Sequence, residues 1–468
     1  MSETDALFAA LRQVADPQVV DCIEHLIAHG SDRDLNRINP LAFAAIHSLD
    51  EEKAIAAFLH AARLGTFDMS WNVLCPGCGS VLDTSATLKS VNRDQYHCAL
   101  CAAGYEPTLD EMVEVTFTVS PRVRRIAAHD PDRLPPFEYY RQVFFSSGVD
   151  LPENLEERFS RAILEMIELG PGEKAFVSLH LPPEFVLIFD AVTHSTQFIT
   201  VQGEPTQERQ TLSMVISRSH ASNETLTLRP GPLRLTLENH TDLRVLPNVC
   251  VAGDDLHDIL GHRRPFLTAK RLLTNQTFRD IYRTDTLDVD QRLKITSLTF
   301  LFTDLRGSTN LYERVGDLAA FDLVRAHFRV LQEIVAAEAG AVVKTIGDAV
   351  MATFPIPERA VAAALRMREA MRQLNAERGR EDLLLKIGIH EGPCLAVTLN
   401  DRQDYFGQTV NIASRVQSLA DTQAILTTAS VVKDPRVSTV LIGKGIAPVS
   451  QSAALRGIEH EVTIYALS

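Results

Sequence analysis

The stretch Leu298 to Thr309, LTFLFTDLRGST, constrains this chain more than any other. An unbroken run of apolar and β-favouring side chains ends at Thr303 and Asp304. Arg306, Gly307, Ser308 and Thr309 then interrupt it before an amphipathic run starts at Leu311. The pattern predicts a buried strand that delivers a carboxylate at its end, a glycine-containing turn, and a helix capped by Ser308 or Thr309. The free N–H groups of that helix start would face the same spot as Asp304 and would suit a phosphate. A carboxylate and a phosphate repel each other unless a divalent cation lies between them, so the stretch predicts a metal-phosphate site.

A second carboxylate fits the same chemistry. A long helix is expected from about Leu311 to Ala339, ended by Gly340, and AVVKTIGDAVMATF follows it. Alternating apolar residues on either side of Ile346-Gly347-Asp348 predict two strands joined by a tight turn, with Asp348 at the tip. Acids on adjacent strand ends can hold two Mg2+ ions about 4 Å apart, the arrangement that serves phosphoryl transfer. Taken alone, either aspartate would be an ordinary turn residue.

Four motifs in order, LFTDLRGST, VVKTIGDAVMATF, LKIGIHEGP and DYFGQTVNIASRV, resemble the class III adenylate/guanylate cyclase catalytic domain, over about residues 294 to 468. The resemblance implies a ferredoxin-like βαββαβ core that works as a head-to-tail homodimer with active sites between subunits. It implies that Asp304 and Asp348, with the Leu305 carbonyl, bind Mg2+ or Mn2+, and that the amides of Arg306, Gly307, Ser308 and Thr309 cradle the polyphosphate. Lys344 and Asp404 fall where the family's adenine-selecting pair lies. A lysine can donate to adenine N1 and an aspartate can accept from the exocyclic amine, which favours ATP over GTP. Asn411 resembles the residue that orients the ribose, and Arg415, one helical turn on, the one that stabilises charge on the phosphorus. Lys386 stands where an arginine is frequent, Arg456 where a lysine usually meets the terminal phosphates, and Phe406 where a tryptophan or tyrosine is common. Both basic positions keep their charge.

The implied reaction converts ATP to 3',5'-cyclic AMP and pyrophosphate under control of the N-terminal region. Two alternatives stay open: a guanylate cyclase, or a degenerate domain that binds nucleotide without turnover and serves as an interaction module.

Upstream, the architecture expected is multidomain α+β. Residues 1–70 show helical periodicity broken at Asp16-Pro17 and Asn39-Pro40 and predict a small helical unit, suited to protein interaction or, less readily, to a winged-helix role. Cys75, Cys78, Cys98 and Cys101 form two CxxC pairs 19 residues apart, the spacing of a zinc ribbon over 71–112. Four thiolates would close a tetrahedral zinc site and leave no open position, so its role would be structural; a redox dithiol pair is the alternative. His97 is then a bystander, and Cys22, Cys250 and Cys394 read as small buried hydrophobes.

In 113–261, a mixed segment with a helix near Glu153 to Leu169 leads into period-two stretches separated by Pro, Gly, Asn and Asp, which predict an antiparallel β-sandwich. It would be a regulatory domain sensing an unknown ligand or protein, or purely architectural. The basic amphipathic run within 262–290 predicts a coupling helix and linker, with a membrane-surface helix as the alternative. His257 and His262 lack metal-ligand spacing on a helix. The catalytic domain is then 291–468.

A formal charge of -14 and a pI near 5.5 argue against broad nucleic-acid or anionic-membrane binding. The acidic N-terminus and the lack of any long apolar run predict a cytoplasmic protein with no membrane span.

Overall fold

The computed structural model describes residues 3–91, 95–218, 225–282, 287, 292–306, 316–379, 381, 383–399, 402–421, 424–458 and 461–467, with backbone alone at 254–257. Gly307, Ser308 and Thr309, and with them the expected phosphate cradle, lie outside the described residues. The chain divides into two compact units. One comprises Met1–Ala86, Asp94–Pro107 and Glu114–Leu267, the other Thr87–Arg93, Thr108–Val113 and Thr268–Ser468. No described helix is long and apolar enough to cross a membrane.

The first unit starts with helices Glu3–Leu11, Pro17–His29, Pro40–Ile46 and Glu51–Arg63. Asp16, Asn39 and Asp50 cap three of them by accepting from backbone N–H groups of the first turn, which fixes where each begins. Their apolar faces meet on Phe58, whose ring lies 5.1 Å from Phe43 and 5.3 Å from both Phe67 and Phe117. The segment expected to be helical to Leu169 is helical only over Leu155–Ala162. Strand Ile163–Met166 follows and pairs with Pro247–Val251, so tertiary pairing overrides local helical preference.

The β-rich part of this unit corrects the expected antiparallel sandwich. One sheet holds Gln210–Ile216, Gly231–Asn239 and Lys174–Leu181; the other holds Thr225–Leu228, Thr196–Val201, Phe185–Asp190, Pro247–Val251 and Ile163–Met166, each in that spatial order. Their apolar residues, among them Ile188, Ile199, Leu235 and Val249, form one core. Gln210–Ile216 and Gly231–Asn239 run parallel, as do Thr225–Leu228 and Thr196–Val201. The chain switches sheets at each of these four consecutive strands. Every turn reverses direction, so alternate strands that land in one sheet point the same way. Period-two patterning identifies strands but is blind to this alternation.

The second unit is built on a mixed sheet in the order Ala341–Ile346, Ala349–Phe354, Leu293–Leu305, Leu385–Leu399, Ile425–Thr428, Val462–Ala466, Val449–Ala453, with Arg402–Phe406 hairpinned onto Leu385–Leu399. Its first four strands, with helices Asp317–Ala337 and Pro357–Arg378, are a strand-helix-strand-strand-helix-strand core, the ferredoxin-like pattern. The two helices bury Leu323, Leu331, Val361 and Met367 in one core with Leu301, Val350, Phe354 and Ile389. Helix Gln408–Ser418 contributes Val416 to a separate cluster with Ala420, Leu426 and Ile464. Leu293–Leu305, central and covered, is buried at every position from Leu298 to Thr303, which explains its uninterrupted apolar run.

The single coupling helix expected in 262–290 is instead two short helices, Ala269–Leu273 and Gln276–Ile281. Thr268 and Asn275 each cap one of them, and Thr274 Oγ1 donates back to the Lys270 carbonyl, so the run is broken from within. Lys270 pairs with Asp110 at 2.9 Å, and Asp110 also accepts from Thr296 N, which ties the segment to the start of the central strand.

Candidate active site

The central strand ends where the sequence places its carboxylate. Thr303 pairs with Val350 across the sheet, and its hydroxyl accepts from Val350 N at 3.2 Å. Asp304 therefore lies beside the tip of the Ala341–Ile346/Ala349–Phe354 hairpin, where Gly347 takes φ +64° and Asp348 follows. Only glycine adopts that angle without strain, so the turn that presents Asp348 depends on it. On the other flank Asp304 is in register with Lys386.

The electrostatics bind these residues into one group. Burial, and next the negative charge of Asp348, push the Asp304 carboxyl above the usual range; Lys386 and a hydrogen bond with Gln417 oppose them. Asp348 Oδ2 is buried with no partner among the described residues. Two repelling carboxylates, one with an orphaned oxygen, fit a divalent cation. The Leu305 side chain is buried, and Arg306 is exposed with its N–H on the Leu384 carbonyl.

A second group gathers on the strand edges. Lys344 Nζ donates to Asp404 Oδ2 at 2.5 Å, joining Ala341–Ile346 to Arg402–Phe406. Asp404 is buried, while the Lys344 side chain remains 42% exposed and reachable. A third group sits on helix Gln408–Ser418, where Asn411 is exposed and Arg415 half-buried one turn later. The Arg415 guanidinium lies against Gly457, in the loop that carries Arg456; a Cβ on Gly457 would stand 3.5 Å from Nη2.

In the first unit, Cys75, Cys78, Cys98 and Cys101 place their sulfurs within 4.8 Å of one another. Cys75 and Cys101 are 3.6 Å apart, as are Cys78 and Cys98. A tetrahedron with metal-sulfur bonds near 2.3 Å has edges of about 3.8 Å, so the donor set fits zinc.

Residues 291–465 match the adenylate and guanylate cyclase catalytic domain, and residues 1–280 match a family of unknown function, DUF5939. The chain is a DUF5939 protein with a class III cyclase domain. An adenylate cyclase of Streptomyces griseus is 32% identical over 187 residues, covering 40% of this chain and 42% of that one. An adenylate cyclase of Streptomyces coelicolor is 34% identical over 166 residues, covering 35% and 38%. The human guanylate cyclase soluble subunit beta-2 is 31% identical over 132 residues, covering 26% and 21%. The chain thus spans less than half the length of these curated relatives. Among solved structures, the adenylyl cyclase CyaB from P. aeruginosa is 27% identical with a TM-score of 0.33, covering 38% of this chain and 96% of that one.

Beside these groups lie residues that the motifs did not single out. Gln417, buried, bonds Asp304. Its signal was visible: a polar residue on the buried stripe formed by Ala413, Val416 and Ala420. His327, on helix Asp317–Ala337, is buried with both ring nitrogens unpartnered among the described residues, and burial lowers its pKa to about 4 against the pull of Asp348. Arg279 Nη2 donates to the carbonyls of Gln403 at 2.9 Å and Val343 at 3.4 Å, the residues just before Asp404 and Lys344. It clamps the two edge strands at the pair they carry. Carbonyl partners leave no trace in sequence, so no pattern could have found Arg279.

Proposed function

We propose that the protein is an adenylate cyclase that converts ATP to 3',5'-cyclic AMP and pyrophosphate at a homodimer interface, regulated by its N-terminal unit. The observation that carries the choice of ATP is the Lys344–Asp404 pair. Lys344 offers a donor for adenine N1 and Asp404 an acceptor for the exocyclic amine; guanine presents the opposite polarity at both positions. Asp304, Asp348 and the Leu305 carbonyl would hold the divalent cations, which when bound lower the pKa of the ribose 3'-hydroxyl and neutralise phosphate charge.

Asn411 orients the ribose so that its 3'-oxygen lines up with the α-phosphorus. The 3'-oxygen–phosphorus bond forms, the bond to the β-phosphate's bridging oxygen breaks, pyrophosphate leaves, and the hydroxyl proton passes to water. Arg415 meets the charge that builds on the phosphorus, and Lys386 and Arg456 hold the phosphate oxygens; the Arg306 N–H is already bonded to the Leu384 carbonyl and does not join a phosphate cradle. Support for a dimer comes from apolar side chains left in water near these groups: Ile346 is 54% exposed, Leu399 50% and Phe406 67%.

The purified chain with Mn2+ should make cyclic AMP from ATP with kcat/KM at least about tenfold above that for GTP. Lys344→Glu with Asp404→Asn places an acceptor for guanine N1–H and a donor for its O6, and should move the preference toward GTP by about 100-fold. A wild-type preference for GTP would sink the base assignment and make the domain a guanylate cyclase. Loss of both activities would favour the nucleotide-binding module.

The four cysteines are assigned a structural zinc. Elemental analysis should find one zinc per chain, and Cys78→Ser should lose it and lower the melting temperature by about 10 °C or more. A zinc-free protein of unchanged stability would leave the cysteines as a redox pair. The protein is assigned to the cytoplasm.

A further inference from the structure

The first unit holds a cavity of about 380 Å³ that no catalytic reading uses, and two opposite charges, Arg37 and Asp83, line it without meeting. Arg37 donates to the Val143 carbonyl and, at 3.2 Å, to Thr84 Oγ1. Val143 and Thr84 line the same cavity, so the guanidinium is held at its wall. Asp83 accepts from Thr84 N at 2.8 Å and from the Tyr96 hydroxyl at 3.0 Å. All these partners are uncharged, and neither side chain has an ion partner within salt-bridge distance among the described residues. Thr84 stands between the two charges, bonded to one through its hydroxyl and to the other through its N–H. One residue and two hydrogen bonds therefore span the gap.

The site shows construction as well as charge. Arg37 takes φ +46° and His194 φ +57°, left-handed backbone that long side chains adopt only under constraint. The Arg37 N–H is held by Thr118 Oγ1 at 3.0 Å. Thr84 Oγ1 donates to Asn72 Oδ1 at 3.1 Å, and Asn72 Nδ2 to buried Glu114 at 3.1 Å, which fixes the residue between the charges. Two more polar groups line the cavity with no hydrogen-bond partner among the described residues, the Tyr139 hydroxyl and the His194 ring. Burial keeps both neutral at physiological pH, pushing the phenol up to about 12 and the imidazole down to about 4. The phenol is near enough to Arg37 for their charges to interact. His97 also lines the space and is exposed. Leu82, Val143, Phe144 and Val192 supply apolar surface.

We propose that this cavity binds a free α-amino acid with an apolar side chain: its carboxylate on Arg37 and the Tyr139 hydroxyl, its ammonium on Asp83, and its side chain against Leu82, Val143, Phe144 and Val192. A bound α-amino acid would itself bridge Arg37 and Asp83 by one residue and two hydrogen bonds, the span that Thr84 sets. A simple anion would leave Asp83 unpaired and a simple cation would leave Arg37 so, whereas a zwitterion neutralises both. The volume lies in the range of small-molecule sites. The unit of unknown function thereby becomes a metabolite-binding module, independently of what the cyclase domain catalyses.

Titration calorimetry on the full chain tests this, with L-leucine and L-phenylalanine as probes. The better of the two should saturate one site per chain. It should bind at least tenfold more tightly than the same molecule without its ammonium (isocaproate or hydrocinnamate) or without its carboxylate (isoamylamine or phenethylamine). Asp83→Asn should weaken the amino acid tenfold or more and leave the affinity of the deaminated acid unchanged. Arg37→Gln should weaken the amino acid at least as much. Because loss of that guanidinium can perturb folding, Tyr139→Phe serves as a milder variant on the carboxylate side and should weaken the amino acid about threefold. No saturable binding of either probe, or unchanged affinity in both Asp83→Asn and Tyr139→Phe, overturns the proposal. Equal affinity for the amino acid and either singly charged analogue overturns the recognition of a zwitterion.

Discussion

Asp304→Asn should abolish cyclic nucleotide formation, by about a thousandfold or more, while raising the melting temperature of the metal-free protein at neutral pH. The two effects share one cause. Folding buries Asp304 beside Asp348 and lifts its pKa. A carboxyl whose pKa is raised on folding holds its proton more tightly in the native state. Stability is then lost as pH climbs from the ordinary carboxylate value through the raised one, and the loss is complete at neutral pH. Asparagine removes that repulsion and removes the ligand with it. Mn2+ should therefore raise the wild-type melting temperature and leave the variant's unmoved. A variant that keeps its activity, or that Mn2+ stabilises as well as wild type, contradicts the metal assignment. Mixing Asp304→Asn chains with Asn411→Ala chains tests the shared site: half of randomly formed dimers are hybrids with one undamaged site of two, so about a quarter of wild-type activity should return. No return would rule out sites built from two chains.

Gly388→Ala should be the most damaging single methyl in the cyclase domain. A Cβ at Gly388 would stand 2.2 Å from Gln417 N and 2.4 Å from its Cα. These are backbone atoms of helix Gln408–Ser418 and cannot swing aside, so the whole helix must move off strand Leu385–Leu399. Overpacking of this kind costs about 3 kcal/mol. Because the same helix carries Asn411, Arg415 and Gln417, activity should fall with stability. Urea unfolding and a cyclase assay on the same sample would show both; a variant with unchanged midpoint and turnover would mean the helix has room the geometry denies it.

The candidate site groups were legible where chemistry is written in side chains. The aspartates, the Lys344–Asp404 pair and the four cysteines could be named from spacing and motif, and the structure brings each of these sets together. What stayed hidden is written in backbone. The parallel pairings of the first unit follow from alternation between sheets, the broken coupling helix from two side-chain caps inside one amphipathic run, and the need for glycine at 388 from the backbone of Gln417, on a helix that starts only at Gln408.

Arg279 has a consequence of a different sort. It grips the edge strands by the carbonyls of Val343 and Gln403, groups that every amino acid possesses. Substitutions at Lys344, Asp404 or their neighbours can therefore alter what the edge recognises without loosening the strands that present it. On the roles proposed for Lys344 and Asp404, a change of base preference would then be a matter of two side chains and would leave the frame that presents them untouched.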